Sequence, residues 1–197
     1  MDDEPEINAL ASTNETDEYR FGYRRKEIER LRYQHQVWAK ENQRFISRAG
    51  FRTGATLVDL GCGPGYTTLN LAQIVGPEGK VIAVDRDGER SLRLLKAQAQ
   101  AVGLSNIETR VANLETFDLQ AESVDGVYGW WVLMYLPEVT VRPLIGRMAK
   151  WLRPGGICDL TEFCNYRYIH IHPISKYLLE IAEALIQAVA GERGCNP

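Results

Sequence analysis

The chain has 197 residues, of which 45% are hydrophobic and 25% are charged, and its formal net charge is -3. This length and composition are those of one globular domain with a real hydrophobic core. The charge gives no general reason to expect a nucleic acid or a membrane surface as partner, and no apolar stretch approaches the roughly 20 residues that span a bilayer.

The cysteines and the amino terminus indicate a cytoplasmic protein. The cysteines lack CxxC spacing, which predicts free thiols and no structural zinc site; they are Cys62, Cys158, Cys164 and Cys195. The opening sequence "MDDEPEINAL" is acidic and lacks the basic start and apolar middle of a signal peptide. We therefore expect a protein of the reducing cytoplasm, without a membrane partner.

The first 50 residues divide into a tail and a helix. Residues 1–18 are acidic and polar, which predicts a flexible tail, and residues 19–50 form a helical cap. A helix is predicted from about Tyr23 to Ala49, because residues on one face recur at spacings of three and four: Ile28, Leu31, His35, Trp38, Asn42, Phe45 and Ala49. The other positions are rich in Arg and Lys, which favours a solvated basic face over a nucleic-acid surface.

From residue 55 onward, short apolar strands alternate with helices. Strands are predicted at residues 55–60, 80–85, 106–111, 124–129 and 156–163. Helices are predicted at residues 66–75, 89–102 and 173–190, and another between Pro137 and Leu152, with Pro143 as a candidate for its first turn. The alternation predicts an α/β fold with a doubly wound, mostly parallel sheet. We place the core at residues 51–163 and a substrate-side loop and helix at residues 164–197, all in one domain.

The stretch "LVDLGCGPGYTT" at residues 57–68 joins the first predicted strand to a helix. Its glycines follow G-x-G-x-G spacing, whereas the dinucleotide fingerprint is G-x-G-x-x-G. Pro64 removes one N–H donor from the loop, and Asp59 would repel a pyrophosphate but attract an ammonium or sulfonium group. The loop therefore favours a cationic ligand over a phosphate; the alternative is a tight turn without a ligand.

Three later strand ends carry candidate ligand contacts, because ligands of such sheets bind at the carboxyl ends of the strands. Asp85 can accept both hydroxyls of a ribose, and Asp87 is the better helix cap. Asn113 can accept from an adenine amino group while Leu114 lines the ring; the alternative is an ordinary turn asparagine. The aromatic run at 130–131 points to opposite faces if the strand continues, so that one ring faces a ligand; the alternative is that both rings are core.

With these residues in hand, the chain resembles the class I S-adenosylmethionine-dependent methyltransferases over about residues 55–163. "VDLGCGPG" is similar to the first motif of that family, "VIAVD" to its second-strand acidic motif, and "LRPGG" to the turn before its fifth strand. The helix with "ERLRYQHQVW" is similar to the N-terminal cap of members that act on small molecules. The resemblance implies that S-adenosylmethionine is the cofactor and S-adenosylhomocysteine the product.

The resemblance assigns the methionine end of the cofactor to the first motif. The turn formed by Gly61, Cys62 and Gly63 matches the turn that approaches the methionine part. Asp59 matches the aspartate that supports the ammonium group, and Trp130 stands where a main-chain carbonyl meets that group.

The resemblance assigns the nucleoside to the second and third strands. Asp85 matches the carboxylate that binds the ribose hydroxyls, and Arg86 follows it beside the adenine. Asn113 stands where an aspartate is frequent in the family, so its role toward the adenine is the less closely matched one.

The sequence departs from the family at its carboxyl end. The family's sheet has seven strands and ends in an antiparallel hairpin, whereas here two strands are missing after the last predicted helix. An unpaired apolar edge on the fifth strand would favour aggregation. We therefore expect either a truncated product, which is favoured, or a partner chain, such as a second copy in a homodimer, that covers the edge.

Substrate-side candidates lie on the cap and after the fifth strand. A general base is expected among His170, His172 and Tyr135 if the acceptor must lose a proton. Contacts with the acceptor are expected from Tyr19, Tyr23, His35, Trp131, Glu162 and Tyr166. The two histidines of the "HIH" stretch have no evident third partner, so no metal site is expected.

The function that these features favour is methyl transfer to a small-molecule acceptor. Methylation of RNA or protein is the first alternative: the place after strand four reads "YGWW" rather than the motif of amino-methylating nucleic-acid enzymes, but the basic helix leaves RNA open. A nicotinamide oxidoreductase is disfavoured by Asp59 and the loop spacing. A non-catalytic cofactor-binding module is the remaining alternative.

Overall fold

The computed structural model describes residues 25–162 and residue 180. In chain order, these residues form the elements α1 (Arg25–Ala49), β1 (Thr56–Leu60), α2 (Tyr66–Val75), β2 (Lys80–Asp85), α3 (Arg93–Ala101), β3 (Ile107–Val111), β4 (Val124–Trp130), α4 (Glu138–Trp151) and β5 (Leu152–Thr161). A π-helical turn at Gly88–Leu92 leads into α3, and a short 3-10 turn at Leu133–Tyr135 lies between β4 and α4. The predicted tail and the helix predicted at 173–190 lie outside the described residues, and the predicted division into segments stays a prediction.

The five strands form one sheet in the order β3-β2-β1-β4-β5, and every neighbouring pair is parallel. This arrangement confirms the predicted doubly wound α/β fold. Asp59 of β1 lies opposite Ala83 of β2 and Tyr128 of β4. The carboxyl ends of these three strands therefore lie side by side in the middle of the sheet, at the point where the strand order reverses.

Two hydrophobic clusters cover the two faces of the sheet. On one face, alternate strand residues pack against α4; members include Val58, Leu60, Val84, Leu144, Met148 and Trp151. On the other face, the intervening strand residues pack against α1 and α2; members include Leu57, Val81, Tyr128, Ile46, Leu71 and Val75. Strands buried on both faces account for the nearly continuous apolar runs in the sequence.

Only part of the helical stripe that was predicted on α1 is buried. Asn42 and Ile46 are each 2% exposed, whereas Trp38 and Phe45 are 40% and 39% exposed. Ile46 follows Asn42 by one helical turn and packs in the core beneath the sheet. Phe45 instead contacts the ring of Trp130 edge-on, with ring centroids 6.0 Å apart. The carboxyl-terminal half of α1 therefore packs through Asn42, a polar member of the predicted stripe.

The helix predicted between Pro137 and Leu152 is α4, but Pro143 is not in its first turn. The helix begins at Glu138, directly after Pro137, and Pro143 lies inside it. A proline has no N–H, so the carbonyl four residues earlier, that of Val139, loses its helical partner. Val139 is 81% exposed, so water can reach this turn of the helix.

The fifth strand begins earlier than predicted, because "LRPGG" lies inside it as a bulge. The pairing with β4 passes from Val124 opposite Leu152 to Gly126 opposite Ile157. The extra residues on β5 are accommodated by Gly155, whose φ of +81° is in the left-handed region. Among the described residues, β5 pairs with β4 alone, and the predicted homodimer at this edge stays a prediction.

We expect truncation of Trp151 to lower the stability of the fold more than truncation of any other residue on the α4 face. Its side chain is fully buried, its indole Nε1 donates to Asp118 at 2.6 Å, and its ring meets Phe117 edge-on at 5.4 Å. Trp151→Ala should lower the free energy of unfolding by about 3–5 kcal/mol, measured by urea denaturation. Val139→Ala, on the exposed side of the same helix, should change it by less than about 0.5 kcal/mol. Equal losses in the two variants would contradict this packing.

Candidate functional site

A cavity of about 570 Å³ opens at the carboxyl ends of the central strands. It lies between this edge of the sheet and the face of α1 that carries Leu31, His35 and Trp38. Its walls include twelve of the predicted site residues: His35, Asp59, Gly61, Cys62, Gly63, Asp85, Arg86, Asn113, Leu114, Trp130, Trp131 and Tyr135. Tyr19, Tyr23, Tyr166, His170 and His172 lie outside the described residues.

The glycine loop places its backbone against this cavity. Gly61 has a φ of +63°, and a Cβ there would stand 2.4 Å from a methyl carbon of Val132. Gly63 has a φ of +52°, but a Cβ there would meet nothing within 4 Å. Since Gly63 also lines the cavity, the space beside it is open to a ligand. The first glycine is thus required by packing, whereas the second leaves room at the site.

Asp85 fastens this loop to the end of β2. Its carboxylate accepts hydrogen bonds from the backbone N–H of Gly63 at 2.8 Å and of Asp87 at 2.9 Å. Asp87 in turn accepts from the N–H groups of Arg90 and Ser91 and caps the turn before α3. The prediction that Asp87 caps the following helix is therefore confirmed.

Asp59 is a buried carboxyl group at the end of β1. Its residue is 2% exposed, and one oxygen accepts a hydrogen bond of 2.6 Å from the Thr68 hydroxyl. Burial raises the pKa of Asp59 to about 7; the Thr68 hydrogen bond opposes this rise and the charge of Asp85 adds to it. Among the described residues, no Lys or Arg forms an ion pair with Asp59. A cation in the cavity would therefore stabilise its charged form.

Asn42 and Tyr128 complete a polar floor beside Asp59 that the sequence analysis missed. The Asn42 side-chain amide donates to the Tyr128 hydroxyl at 2.7 Å, and both residues line the cavity. The amide oxygen of Asn42 is buried without a hydrogen-bond partner among the described residues. Burial, followed by the charge of Asp59, raises the pKa of Tyr128 and keeps it a neutral donor. An unpaired buried acceptor is costly, so a donor on a ligand is its natural partner.

The strand does not continue through Trp131, so the condition under which the two tryptophans would point to opposite faces is not met. The strand ends at Trp130, and Trp131 has a φ of +55°, in the left-handed region. This reversal brings the two rings together, with centroids 5.1 Å apart, and both line the cavity. The Trp131 N–H donates to the carbonyl of Thr161 at 2.8 Å, which anchors the reversed residue to β5.

Glu162 follows β5 and holds a turn of the chain, and its predicted substrate contact stays a prediction. One carboxylate oxygen accepts from the N–H groups of Val132 at 2.8 Å and Leu133 at 2.7 Å, and the other lies 3.4 Å from the N–H of Met134. Burial raises the pKa of Glu162, and these hydrogen bonds oppose the rise. Glu162 is not among the described residues that line the cavity. Its carboxylate instead holds the 3-10 turn directly after Trp131.

Asn113 and Leu114 lie where the adenine was expected, but the asparagine also serves its own turn. The Asn113 side-chain oxygen accepts from the N–H of Glu115 at 3.0 Å. An amide oxygen has a second lone pair, so a further donor can still reach it. Leu114 is 6% exposed and packs in the α4 cluster while lining the cavity. The adenine contact of this pair stays a prediction.

His35 reaches the cavity from α1. Its imidazole stacks on the Tyr66 ring at 5.4 Å, and burial lowers its pKa from 6.5. The ring is therefore predominantly neutral at pH 7 and can accept a proton or a hydrogen bond. Tyr135 also lines the cavity, so these two are the described candidates for a general base.

Two negative findings concern the described residues alone. Residues 25–162 and 180 contain no group of three His, Cys, Asp or Glu side chains that could hold a metal ion. In the same part of the chain, no helix has the length and apolar character needed to cross a membrane.

Comparison with known proteins finds a matching family and several relatives of this chain. Residues 57–156 match the methyltransferase domain family. Phosphoethanolamine N-methyltransferase 1 of Triticum aestivum is 37% identical over 118 residues, covering 58% of this chain and 22% of that protein. Demethylmenaquinone methyltransferase of Lactococcus lactis is 35% identical over 131 residues, covering 66% and 50%.

A solved structure shows the same fold. Phosphoethanolamine N-methyltransferase 1 of Haemonchus contortus, in complex with phosphoethanolamine and S-adenosylhomocysteine, superposes with a TM-score of 0.60 at 24% identity. The match covers 66% of this chain and 27% of that chain. This chain thus spans half or less of the length of each of these three proteins.

We expect Asp59 to make the unliganded chain less stable as the pH rises. The folded carboxyl group has a pKa of about 7, whereas an unfolded aspartate titrates near about 3.9. Between these values the folded chain holds a proton that the unfolded chain has released, so the free energy of unfolding falls with rising pH. The melting temperature of Asp59→Asn should therefore exceed that of wild type by more at pH 8 than at pH 5, on the order of 2–4 °C for each kcal/mol of added difference.

Asp118→Asn is the matched control for this pH dependence. The Trp151 hydrogen bond lowers the pKa of Asp118, so this group is charged throughout the interval from pH 5 to pH 8. Its difference from wild type should be the same at both values. A difference for Asp59→Asn that is equally independent of pH would contradict a carboxyl group that titrates near neutrality.

We expect the Glu162 carboxylate oxygen that accepts from both Val132 and Leu133 to contribute to the stability of the fold. Glu162→Ala leaves the N–H groups of Val132 and Leu133 without their acceptor and should lower the free energy of unfolding by about 1–3 kcal/mol. Glu162→Gln keeps one acceptor oxygen and should cost less than half as much in the same denaturation experiment. Equal losses would show that the two hydrogen bonds contribute nothing.

Proposed function

The chain belongs to the class I S-adenosylmethionine-dependent methyltransferases, and from this premise we propose that it transfers the methyl group of S-adenosylmethionine to a small-molecule acceptor. The observation that carries the proposal is the buried carboxyl group of Asp59 at the end of β1, which faces a cavity and has no cationic partner among the described residues. A carboxylate so placed selects a ligand that carries positive charge and rejects a pyrophosphate.

The residues at the floor of the cavity fit the amino-acid end of the cofactor. Asp59 and the unpaired amide oxygen of Asn42 both accept hydrogen bonds, which suits an ammonium group. Gly63 leaves the space beside the loop open, so a chain of methylene groups can lie close to the backbone. This combination of two acceptors and an open glycine backbone supports the assignment of S-adenosylmethionine to the cavity.

The nucleoside would lie toward β2 and β3. Asp85 would hold the ribose hydroxyls while it keeps its two backbone hydrogen bonds, and Arg86 would lie beside the adenine. Leu114 would contact the adenine ring, and Asn113 would accept from its amino group. The cavity volume of about 570 Å³ is within the range of about 300–1,000 Å³ that small-molecule sites occupy.

The chemistry needs little from the protein beyond position and exclusion of water. When bound, the cofactor supplies a methyl carbon to which an acceptor atom forms a bond as the carbon–sulfur bond breaks, with the electron pair staying on sulfur. An acceptor that starts with a hydrogen on the attacking atom must also lose a proton, to water or to a base. Neutral His35, or Tyr135 as its phenolate, would take that proton in the described part of the cavity.

The acceptor and the location belong to the proposal as well. The two relatives are named for different small molecules, phosphoethanolamine and demethylmenaquinone. Because the chain covers half or less of their lengths, their acceptors do not carry over directly. We place the reaction in the cytoplasm. Methylation of RNA or protein, and cofactor binding without catalysis, are the outcomes that would replace small-molecule transfer.

Thermal unfolding with three ligands tests the cofactor. S-adenosylhomocysteine and S-adenosylmethionine should each raise the melting temperature, because a ligand that binds only the folded chain stabilises it by mass action. NAD, which carries a pyrophosphate, should leave it unchanged. Stabilisation by NAD alone would overturn the proposal, and binding of S-adenosylhomocysteine without homocysteine release from any small acceptor would reduce it to a binding module.

We expect Asp85 to be needed for cofactor affinity. Asp85→Asn keeps the size of the side chain but loses the charge that strengthens hydrogen bonds to two hydroxyls, so affinity for S-adenosylhomocysteine should fall at least about tenfold in a calorimetric titration. Asp125→Asn is the control, because Asp125 binds the N–H of Thr56 at the opposite end of the sheet. It should change stability without changing affinity. Unchanged affinity in Asp85→Asn would remove this residue from the site.

A further inference from the structure

The acidic and basic residues of the cavity lie on β1 and on its β2 side. Among the described lining residues, these side chains are Asp59 on β1, Asp85 and Arg86 at the end of β2, and Glu115 in the loop after β3. The sheet order places β2 and β3 on one side of β1 and β4 on the other. The cavity therefore has a charged end, where the cofactor is proposed to bind, and a second end of different chemistry.

The second end, here called the aromatic end, is formed by α1 and by the chain after β4. Its described residues are Leu31, His35, Trp38, Trp130, Trp131 and Tyr135. None of them is Asp, Glu, Lys or Arg, and burial lowers the pKa of His35, so this imidazole is predominantly neutral at pH 7. The Trp38 and Trp131 rings meet edge to face at 5.4 Å, and Trp130 lies 5.1 Å from Trp131. The aromatic end is thus a wall of flat, uncharged surfaces.

Trp131 is held in place against its own backbone preference. A bulky residue with a φ of +55° is a genuine outlier, and such residues persist where the surroundings fix them, often at ligand sites. Here the surroundings are the Thr161 carbonyl, which accepts from the Trp131 N–H, and the Glu162 carboxylate, which holds the turn that follows. Two residues at the end of β5 therefore determine where the indole points.

We propose that the aromatic end binds the methyl acceptor as a planar ring compound without negative charge, with Trp131 as the residue that determines this specificity. The assignment of the bound ring as the methyl acceptor rests on the proposed function, whereas the binding of a ring does not. An anionic acceptor, such as a phosphate ester or a polycarboxylate, would find no cation among the described residues of this end. A cationic ring compound would be attracted by the same aromatic faces, so the aromatic end discriminates against negative charge but not against positive charge.

Three probes that share one ring and differ in charge test the proposal. The full chain is titrated by calorimetry with 2-naphthol, 2-naphthyl phosphate and 2-naphthyltrimethylammonium, with and without saturating S-adenosylhomocysteine. The neutral 2-naphthol and the ammonium probe should each bind at least tenfold more tightly than 2-naphthyl phosphate. Equal or tighter binding of the phosphate probe, or no binding of 2-naphthol, would overturn the proposal.

Variants locate the binding. Trp131→Leu keeps an apolar side chain but removes the aromatic face, and it should weaken 2-naphthol binding roughly tenfold. Trp38→Ala, on α1, should also weaken it and is a safer variant for folding, since Trp38 is 40% exposed. Tyr33→Ala is the matched control: it removes an aromatic ring from the same helix, 69% exposed and outside the cavity lining, and should leave the affinity unchanged. Affinity that is unchanged in both tryptophan variants would overturn the proposal.

The failure of this inference can be distinguished from the failure of the proposed function. S-adenosylhomocysteine binding is measured separately by thermal unfolding. If it binds and 2-naphthol does not, the aromatic specificity is wrong and the cofactor assignment stands. If 2-naphthol binds through Trp131 and neither cofactor form binds, the ring site stands and the methyltransferase proposal falls.

Discussion

The hydrogen bonds between the Asp85 carboxylate and two backbone N–H groups are the interaction on which the site depends. They join the glycine loop after β1 to the first residues after β2. These two loops, which follow neighbouring strands, are thereby held together as one surface of the cavity. Because the carboxylate is 6% exposed, solvent competes little for these bonds. The proposed contacts with the ammonium group and with the ribose both require that surface to keep its shape.

Much of the fold and of the charged end was predictable from the sequence because the residues are close together along the chain. Apolar runs of the right length gave β1, β2, α2 and the parallel sheet, and turn chemistry gave Asp87 as a cap. Pro143 misled because proline favours a first turn, but an exposed helix turn also tolerates it. The start of β5 was missed because "LRPGG" has the composition of a turn, whereas parallel pairing with β4 continues through it as a bulge.

The rest of the site could not be predicted because it depends on contacts between distant residues. Asn42 meets Tyr128 across 86 positions of sequence, and no local pattern marks either residue as part of a cavity floor. The reversal at Trp131 cannot be read from the pair "WW", since it is imposed by Thr161 and Glu162 from another strand. The one sign of the cavity floor in the sequence is that Asn42, a polar residue, interrupts the apolar stripe of α1.

The way the cavity is divided has a consequence for how the protein can change over generations. Its charged end comes from the carboxyl ends of β1 and β2 and the loop after β3, whereas its aromatic end comes from α1 and from the residues at and after the end of β4. Substitutions in α1 or after β4 can reshape the aromatic wall without touching the loops that Asp85 joins. The residues proposed to select the acceptor can therefore change separately from those proposed to hold the cofactor.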